Sequence, residues 1–228
     1  MPLTVSVVVP ARNEAPSVGA VLDGAKPHAD ELILIDGRST DDTVAIAQRA
    51  GARILTDDGR GKGSAVRQGI REATGDIVVF IDADGSHDPA DIPRLVAPIQ
   101  EGNADLVVGS RPKGGSDELH GDLEKFARMI GSDIITLCIN YRFGVRLSDS
   151  QNGFRALRTE AGRRLTLRED STTIEQEMLM QALHHGLRCD EVPAHEYARE
   201  HGTSSIVLPR VAHRYVACLV RGLLSKRR

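Results

Sequence analysis

Tryptophan is absent and aromatic residues make up only 3% of the chain, which argues against a surface that grips sugars by ring stacking. No apolar run approaches the roughly 20 residues that a bilayer-spanning helix needs. Cysteine is scarce too. Cys138, Cys189 and Cys218 show no CxxC spacing, so reduced thiols in a cytoplasmic core are expected. The opening "MPLTVSVVVPARNE" lacks a basic leader segment and turns polar early, so no secretory signal is expected. Excess positive charge is also missing: a formal net charge of −3 disfavours a general nucleic-acid binder. What remains is a soluble, cytoplasmic protein of 228 residues, 40% hydrophobic and 27% charged, enough for one large domain or two small ones.

Short β-branched runs recur up to about residue 110: "TVSVVVP", "ELILID", "ARILT", "DIVVFID" and "DLVVG". They are apolar nearly throughout, as in strands covered on both faces of a parallel sheet. Helix-like stretches alternate with them: "SVGAVLDGA", "DDTVAIAQRAGA", "GSAVRQGIREATG" and "DIPRLVAPIQEG". The alternation predicts an open α/β sheet of nucleotide-binding character, with its ligand at the carboxyl ends of the strands. Polar clusters fall there: Arg12-Asn13-Glu14 after the first strand, Asp36 after the second, Asp82 and Asp84 after the fourth. Beyond residue 110 the pattern predicts a charged Gly-rich loop, a helix over 123–140, another over 174–185, and a helical second half. No internal repeat is visible.

"FIDADGSHDP" carries the sharpest signal. Asp82 and Asp84 follow an apolar run, and residues two apart on a strand share a face. Two carboxylates so placed stay ionised only if a cation shares the site. A DxD pair alone is weak evidence, because acidic pairs end strands in many proteins. Gly61-Lys62-Gly63 lacks the Walker spacing and reads as a plain helix-start turn. His184-His185 has no second ligand pair and reads as a solvated face. Arg128 and Ser132 lie four apart on one helix face, and alone would be an exposed polar stripe.

Taken in order, "VVVPARNE", "LILIDGRSTDDT", "GKGSAVRQGIREATGDIVVFIDADGSHDP", "VVGSRPKGG", "SDSQNGFRAL" and "EQEMLMQALHHGLRCDEVPAHEYAREHGTSS" resemble family 2 glycosyltransferases of the GT-A fold. The likeness is greatest to dolichyl (polyprenyl) phosphate mannosyltransferases and covers roughly residues 4 to 205. It implies a Rossmann-like, mostly parallel sheet with helices on both faces, a nucleotide-sugar donor, a divalent cation and inversion at the anomeric carbon. Residues 1–205 would form the glycosyltransferase domain and 206–228 a basic amphipathic C-terminal helix.

The resemblance also assigns roles. Asp84 would hold Mg²⁺ or Mn²⁺, with Asp82 on the ribose or the metal and Ala83 beside the nucleotide, so that charge growing on the leaving diphosphate is neutralised. Pro10, Arg12, Glu14, Ile35 and Asp36 would line the nucleoside pocket. Arg111 and Arg199 would clamp phosphates, and Arg128 and Ser132 would take the acceptor's phosphate. Two departures stand out. Asp36-Gly37-Arg38 replaces the family's doubled Asp, leaving guanine or uracil open, and Ser204-Ser205 replaces Ser-Lys, with Arg210 as the substitute cation.

A sugar hydroxyl needs a general base, whereas a lipid monophosphate is already anionic at neutral pH. No lone base is evident; Glu177, on a helix with Glu175, reads as support. The arginines Arg111, Arg128, Arg155 and Arg199 suit an anionic acceptor. The expected reaction therefore moves mannose or glucose from GDP-mannose or UDP-glucose to a polyprenyl phosphate. Alternatives are a soluble or glycan hydroxyl acceptor, a nucleotidyltransferase, or a non-catalytic nucleotide-binding module. From Ala198 to Arg228, seven basic residues face one acid, Glu200, a net +6. Arg210, Arg214 and Arg221 fall within about 40° on the C-terminal helix. That helix would either pack on the protein's own core or dock on an anionic membrane from the inner face, alone or with a membrane subunit.

Overall fold

The computed structural model describes residues 2–117, 123–199 and 208–225. Among them, seven strands form one sheet: β1 (Val5–Ala11), β2 (Glu31–Asp36), β3 (Arg53–Thr56), β4 (Ile77–Phe80), β5 (Leu106–Ser110), β6 (Arg155–Arg158) and β7 (Cys189–Pro193). Their order is β3-β2-β1-β4-β6-β5-β7. Neighbours run parallel except β6, which is antiparallel to both β4 and β5. The five strands expected from the apolar runs are all present. The expectation of a helical second half needs correction, because that half contributes β6 and β7. Each is a short mixed run, "RALR" or "CDEVP", without the β-branched signature of the first five.

The helices are α1 (Val18–Ala25), α2 (Thr43–Ala50), α3 (Lys62–Glu72), α4 (Ile92–Gln100), α5 (Arg111–Gly114), α6 (Leu123–Phe143), α7 (Thr159–Arg164), α8 (Ile174–His184) and α9 (Leu208–Leu224). Strand alternation feeds two cores. Val7, Val9, Ile77 and Val79 pack with α1 and α4 on one face, while Val8, Val78 and Phe80 pack with α3, α6 and α8 on the other. Covering on both faces explains why these strands read as continuous apolar runs.

The C-terminal helix lies on this second core. Cys218 and Leu219 are buried against it, the His184 ring bonds the Gly222 carbonyl at 2.8 Å, and Arg142 Nε donates to the Leu223 carbonyl at 3.0 Å. The His184-His185 pair is therefore not a solvated face: His184 is buried between α8 and α9, with its ring edge-on to Phe143. Arg221, one of the three arginines expected on a free basic face, is ion-paired with Glu169 at 2.6 Å. Glu200, Ser204, Ser205, Lys226, Arg227, Arg228 and the Arg210 side chain lie outside the described residues. All three cysteines are free thiols; burial pushes Cys189 and Cys218 up to about 12, so neither ionises at neutral pH.

Candidate active site

The polar clusters converge at the carboxyl edge of β1, β2 and β4. Parallel register sets Pro10 beside Ile35 and Ala11 beside Asp36, so three of the expected nucleoside-pocket positions, Pro10, Ile35 and Asp36, share one rim. The loops after β1 and β2 are tied together: Asn13 N donates to Ser39 Oγ at 2.9 Å, Thr40 N to Asn13 Oδ1 at 2.8 Å, and Glu14 N to Thr43 Oγ1 at 2.8 Å. Asp36 is buried and accepts from Ser39 N at 3.0 Å. A side chain at Gly37 would press on Arg12 Cβ, 3.2 Å away, so glycine lets Arg12 lie across this turn.

Asp82 and Asp84 do not share a strand face. β4 ends at Phe80, and the next residues turn, with Gly85 at φ +76°. Each carboxylate has its own cation. Lys62 Nζ contacts Asp82 Oδ1 at 2.6 Å and Glu175 Oε1 at 2.9 Å. Asp84 is buried, accepts from Ser86 N at 3.0 Å and Ser86 Oγ at 2.7 Å through Oδ1, and meets Arg199 through Oδ2 at 2.9 Å. Burial alone would raise the Asp82 carboxyl, but the Lys62 charge and hydrogen bond overcome it and hold Asp82 below the usual range. Burial would lower Lys62, and Asp82 and Glu175 reverse that, keeping it a cation. Glu14 is pushed up, first by burial and then by the charge of Asp84.

Lys62 is the residue that the sequence reading passed over. Gly61-Lys62-Gly63 does start a helix, with Gly61 at φ +121°, but Lys62 serves the acidic pair. A signal was available: a cation in a helix's first turn opposes the helix dipole, so it needs another partner. Gly153, in "SDSQNGF", leaves the room. A side chain there would sit 2.7 Å from Lys62 Nζ and 3.0 Å from Asp82 Oδ2.

Arg111 lies at the same edge with its fork on Asp149, Nε to Oδ2 at 2.6 Å and Nη2 to Oδ1 at 3.0 Å, and Nη1 on Glu196 at 3.4 Å. Its guanidinium thus joins three segments of the chain. Arg155 is not a surface cation for an acceptor, as the sequence suggested. It is only 1% exposed, and it donates to the carbonyls of Asn152 and Glu175, bracing the floor under Lys62. Glu177 has the supporting role expected of it, accepting from the backbone N–H of Arg168 and Glu169 at 2.8 Å each. His87, also unremarked in the sequence, is buried, stacks on Phe154 and is held neutral by burial.

Arg128 and Ser132 are half-buried, one turn apart on α6. Tyr215 of α9 is half-buried. Burial raises its hydroxyl, against the Thr172 hydrogen bond; Glu175 adds to the rise and the charges of Lys62 and Arg128 oppose it. Tyr215 is fixed by a 2.8 Å hydrogen bond to Thr172.

The family described as "Glycosyl transferase family 2" matches residues 6–166, and the chain belongs to it. Glycosyltransferase AglJ of Haloferax volcanii is 30% identical over 210 residues, covering 91% of this chain and 68% of AglJ. The low-salt glycan biosynthesis hexosyltransferase Agl6 of the same organism is 28% identical over 202 residues, 86% of this chain but 48% of Agl6. A crystal structure of glucosyl-3-phosphoglycerate synthase from Mycobacterium tuberculosis, in complex with Mn²⁺, uridine diphosphate and glucosyl-3-phosphoglycerate, superposes with a TM-score of 0.76 at 26% identity, covering 97% of this chain and 80% of that one. The same mycobacterial enzyme is also known with Mg²⁺ and uridine diphosphate. The fold is therefore the mixed α/β architecture of these glycosyltransferases.

Proposed function

We propose that the chain transfers a hexose, mannose or glucose, from a nucleoside diphosphate sugar to a polyprenyl phosphate, inverting the anomeric carbon. The reading of the acceptor is supported by Arg128 and Ser132, half-buried one turn apart on α6, the pair that the family resemblance gives to the acceptor's phosphate. Five carboxylates around the DxD turn are engaged by cations, Asp82 and Glu175 by Lys62, Asp84 by Arg199, Asp149 and Glu196 by Arg111, while Glu14 accepts from the Ser17 hydroxyl at 3.4 Å. An acceptor that arrives ionised suits such a site better than a hydroxyl in need of a base, because a phosphate monoester's second pKa is about 6.

A divalent cation fits the donor side. Asp84 is buried, offers a hard oxygen, and already meets a positive group there. Among the described residues no cluster of three or more His, Cys, Asp or Glu forms a ready cage. Mg²⁺ commonly takes one or two carboxylates and completes its shell with substrate phosphates, so Asp84 and Asp82 suffice. When bound, Mg²⁺ or Mn²⁺ supplies positive charge where the diphosphate leaves. Pro10, Arg12, Glu14, Ile35, Asp36 and Ala83 would hold the nucleoside, Lys62 keeps Asp82 ionised, and Arg199 and Arg111 present planar cations at the phosphate edge.

The mycobacterial neighbour, which is known with phosphoglyceric acid bound, favours a second reading in which the acceptor is a small soluble phosphate. A screen decides between them. GDP-mannose and UDP-glucose are tested with Mn²⁺ or Mg²⁺ against a short-chain prenyl phosphate and 3-phosphoglycerate, with NMR of the product's anomeric proton. Transfer to the prenyl phosphate supports the proposal, and transfer to phosphoglycerate alone overturns it. No helix among the described residues is long and apolar enough to cross a membrane. We place the chain in the cytoplasm, meeting its acceptor at the inner face of a membrane, with or without a membrane subunit.

A further inference from the structure

Two acids of α8, Glu175 and Glu177, are both buried, yet they stand about 200° apart around the helix. Glu175 faces the Lys62 ammonium at 2.9 Å. Glu177 faces elsewhere: its Oε2 accepts from the backbone N–H groups of Arg168 and Glu169, at 2.8 Å each. A buried carboxylate is costly unless its oxygens are met. One kept for two loop N–H groups directs attention to what that loop holds.

Residues 168–170 lie directly on the start of α3. The Asp170 carbonyl accepts from Gly63 N at 3.1 Å, and Arg67 donates to the Glu169 carbonyl and to the Asp170 carboxylate. A side chain at Gly61 would come within 2.6 Å of the Asp170 carbonyl oxygen, and one at Gly63 would run into that of Glu169. Both glycines beside Lys62 are therefore demanded by this segment, not only by the turn. The same segment is held by Thr173 Oγ1, which donates to Glu169 Oε2 at 2.6 Å, and by Arg221 of α9, paired with Glu169 Oε1 at 2.6 Å. The Arg221 side chain is 57% exposed, and an exposed pair contributes little, so buried Glu177 is the principal anchor.

We propose that Glu177 is a positioning residue for the donor, acting through residues 168–170 on Lys62. One helix thus fixes a single lysine at both ends, the ammonium through Glu175 and the backbone through the segment that Glu177 anchors. A lysine stem is flexible, and its charge is a fixed point only when backbone and head are both held. Lys62 placed in this way stands against Asp82 at 2.6 Å, on the carboxylate proposed to serve the nucleotide. The inference rests on the donor side of the proposed function and is independent of the acceptor.

Isothermal titration calorimetry with UDP and with GDP, each in the presence of Mn²⁺, tests this. Glu177→Leu should bind whichever nucleotide the unaltered chain takes roughly tenfold more weakly, with an unchanged circular dichroism spectrum. Glu177→Gln keeps an oxygen for the two N–H groups and should bind as the unaltered chain does. In a Lys62→Met background the loss from Glu177→Leu should vanish, because the anchor then has no charge to place. An equal loss with and without Lys62 makes Glu177 a general support of the fold and overturns the proposal, as does full binding by a folded Glu177→Leu chain. If Glu177→Leu does not fold, Arg67→Met releases the same segment from α3 and should show the same dependence on Lys62; a loss independent of Lys62 again overturns the proposal. Urea midpoints need no ligand: Glu177→Leu and Lys62→Met together should destabilise by less than the sum of the two. Such coupling in a chain that binds neither nucleotide leaves the clamp standing and removes the donor reading. Additive midpoints, with nucleotide bound equally well by Glu177→Leu, do the reverse.

Discussion

The Arg199 guanidinium lies 2.9 Å from Asp84 Oδ2, on the carboxylate proposed to hold the metal. A cation that takes this oxygen competes with the arginine for it, and the guanidinium would then turn toward the diphosphate. Arg199→Gln should therefore bind Mn²⁺ more tightly than the unaltered chain when no nucleotide is present, and yet lose roughly tenfold or more in kcat/KM through the missing charge-assisted contact. Arg199→Lys keeps the charge without the planar fork and should also lose activity. Manganese titration by electron paramagnetic resonance, set beside steady-state kinetics, checks both. Weaker Mn²⁺ binding in Arg199→Gln would remove the competition.

Asp84→Ala should abolish transfer, by about a hundredfold or more, because the charge that stabilises the leaving diphosphate is gone. Asp84 is buried at a turn outside the two apolar cores, so the circular dichroism spectrum should stay near that of the parent while the melting temperature falls through loss of the Ser86 and Arg199 contacts. Full activity in EDTA would refute the metal assignment.

Lys62 neutralises two acids at once. Lys62→Met leaves Asp82 and Glu175 facing each other without a cation and should cost about 3 kcal/mol of stability. Adding Glu175→Gln should recover part of that loss without restoring activity, since Asp82 still lacks its partner. Urea midpoints of the two single variants and the double variant give the coupling.

Burial alone would raise the Asp149 carboxyl; the Arg111 fork overcomes burial and holds it below its ordinary range. A carboxyl depressed in the folded state contributes stability in full above its unfolded pKa, about 3.9, and loses it as pH falls toward the folded value. The stability gap between the unaltered chain and Asp149→Asn should therefore be widest at neutral pH and narrow below about pH 4. Thermal melts from pH 7 down to pH 3 measure it, and a gap independent of pH would show that the Arg111 contact carries no linkage.

At Gly63 a side chain would run into the backbone carbonyl of Glu169. Gly63→Ala should cost about 2 kcal/mol or more by overpacking α3 against that loop, although alanine is the better helix former. A rise in melting temperature would contradict this packing.

β1, β2, β4 and β5 were legible because they are buried on both faces for most of their length, and a doubly buried strand reads as an unbroken run such as "VVFI"; β3, an edge strand with no buried residue, was legible from its place in the alternation. β6 was not, since "RALR" has arginines at its ends, and one of them, Arg155, is buried and bonded to carbonyls, a role that only tertiary structure assigns. Asp84 and Arg199 could be named from motifs, but their contact could not, being made across more than a hundred residues. The equivalence of Asp82 and Asp84 failed for a local reason: β4 stops at Phe80, so strand alternation no longer governs where the two carboxylates point. Lys62 was hidden by its glycine neighbours, which explain the turn and draw attention away from the charge between them.

The antiparallel β6 bears on how the chain assembles during synthesis. β5 has as its sheet neighbours β6 and β7, both made later, and it touches β4 only through β6. A nascent chain that has emerged as far as Ser110 therefore carries one finished strand with no edge to join. The α/β half cannot close before residue 158 is available, and cannot complete its sheet before residue 193. Chaperone dependence should peak in that interval, when β5 is an open, largely apolar edge.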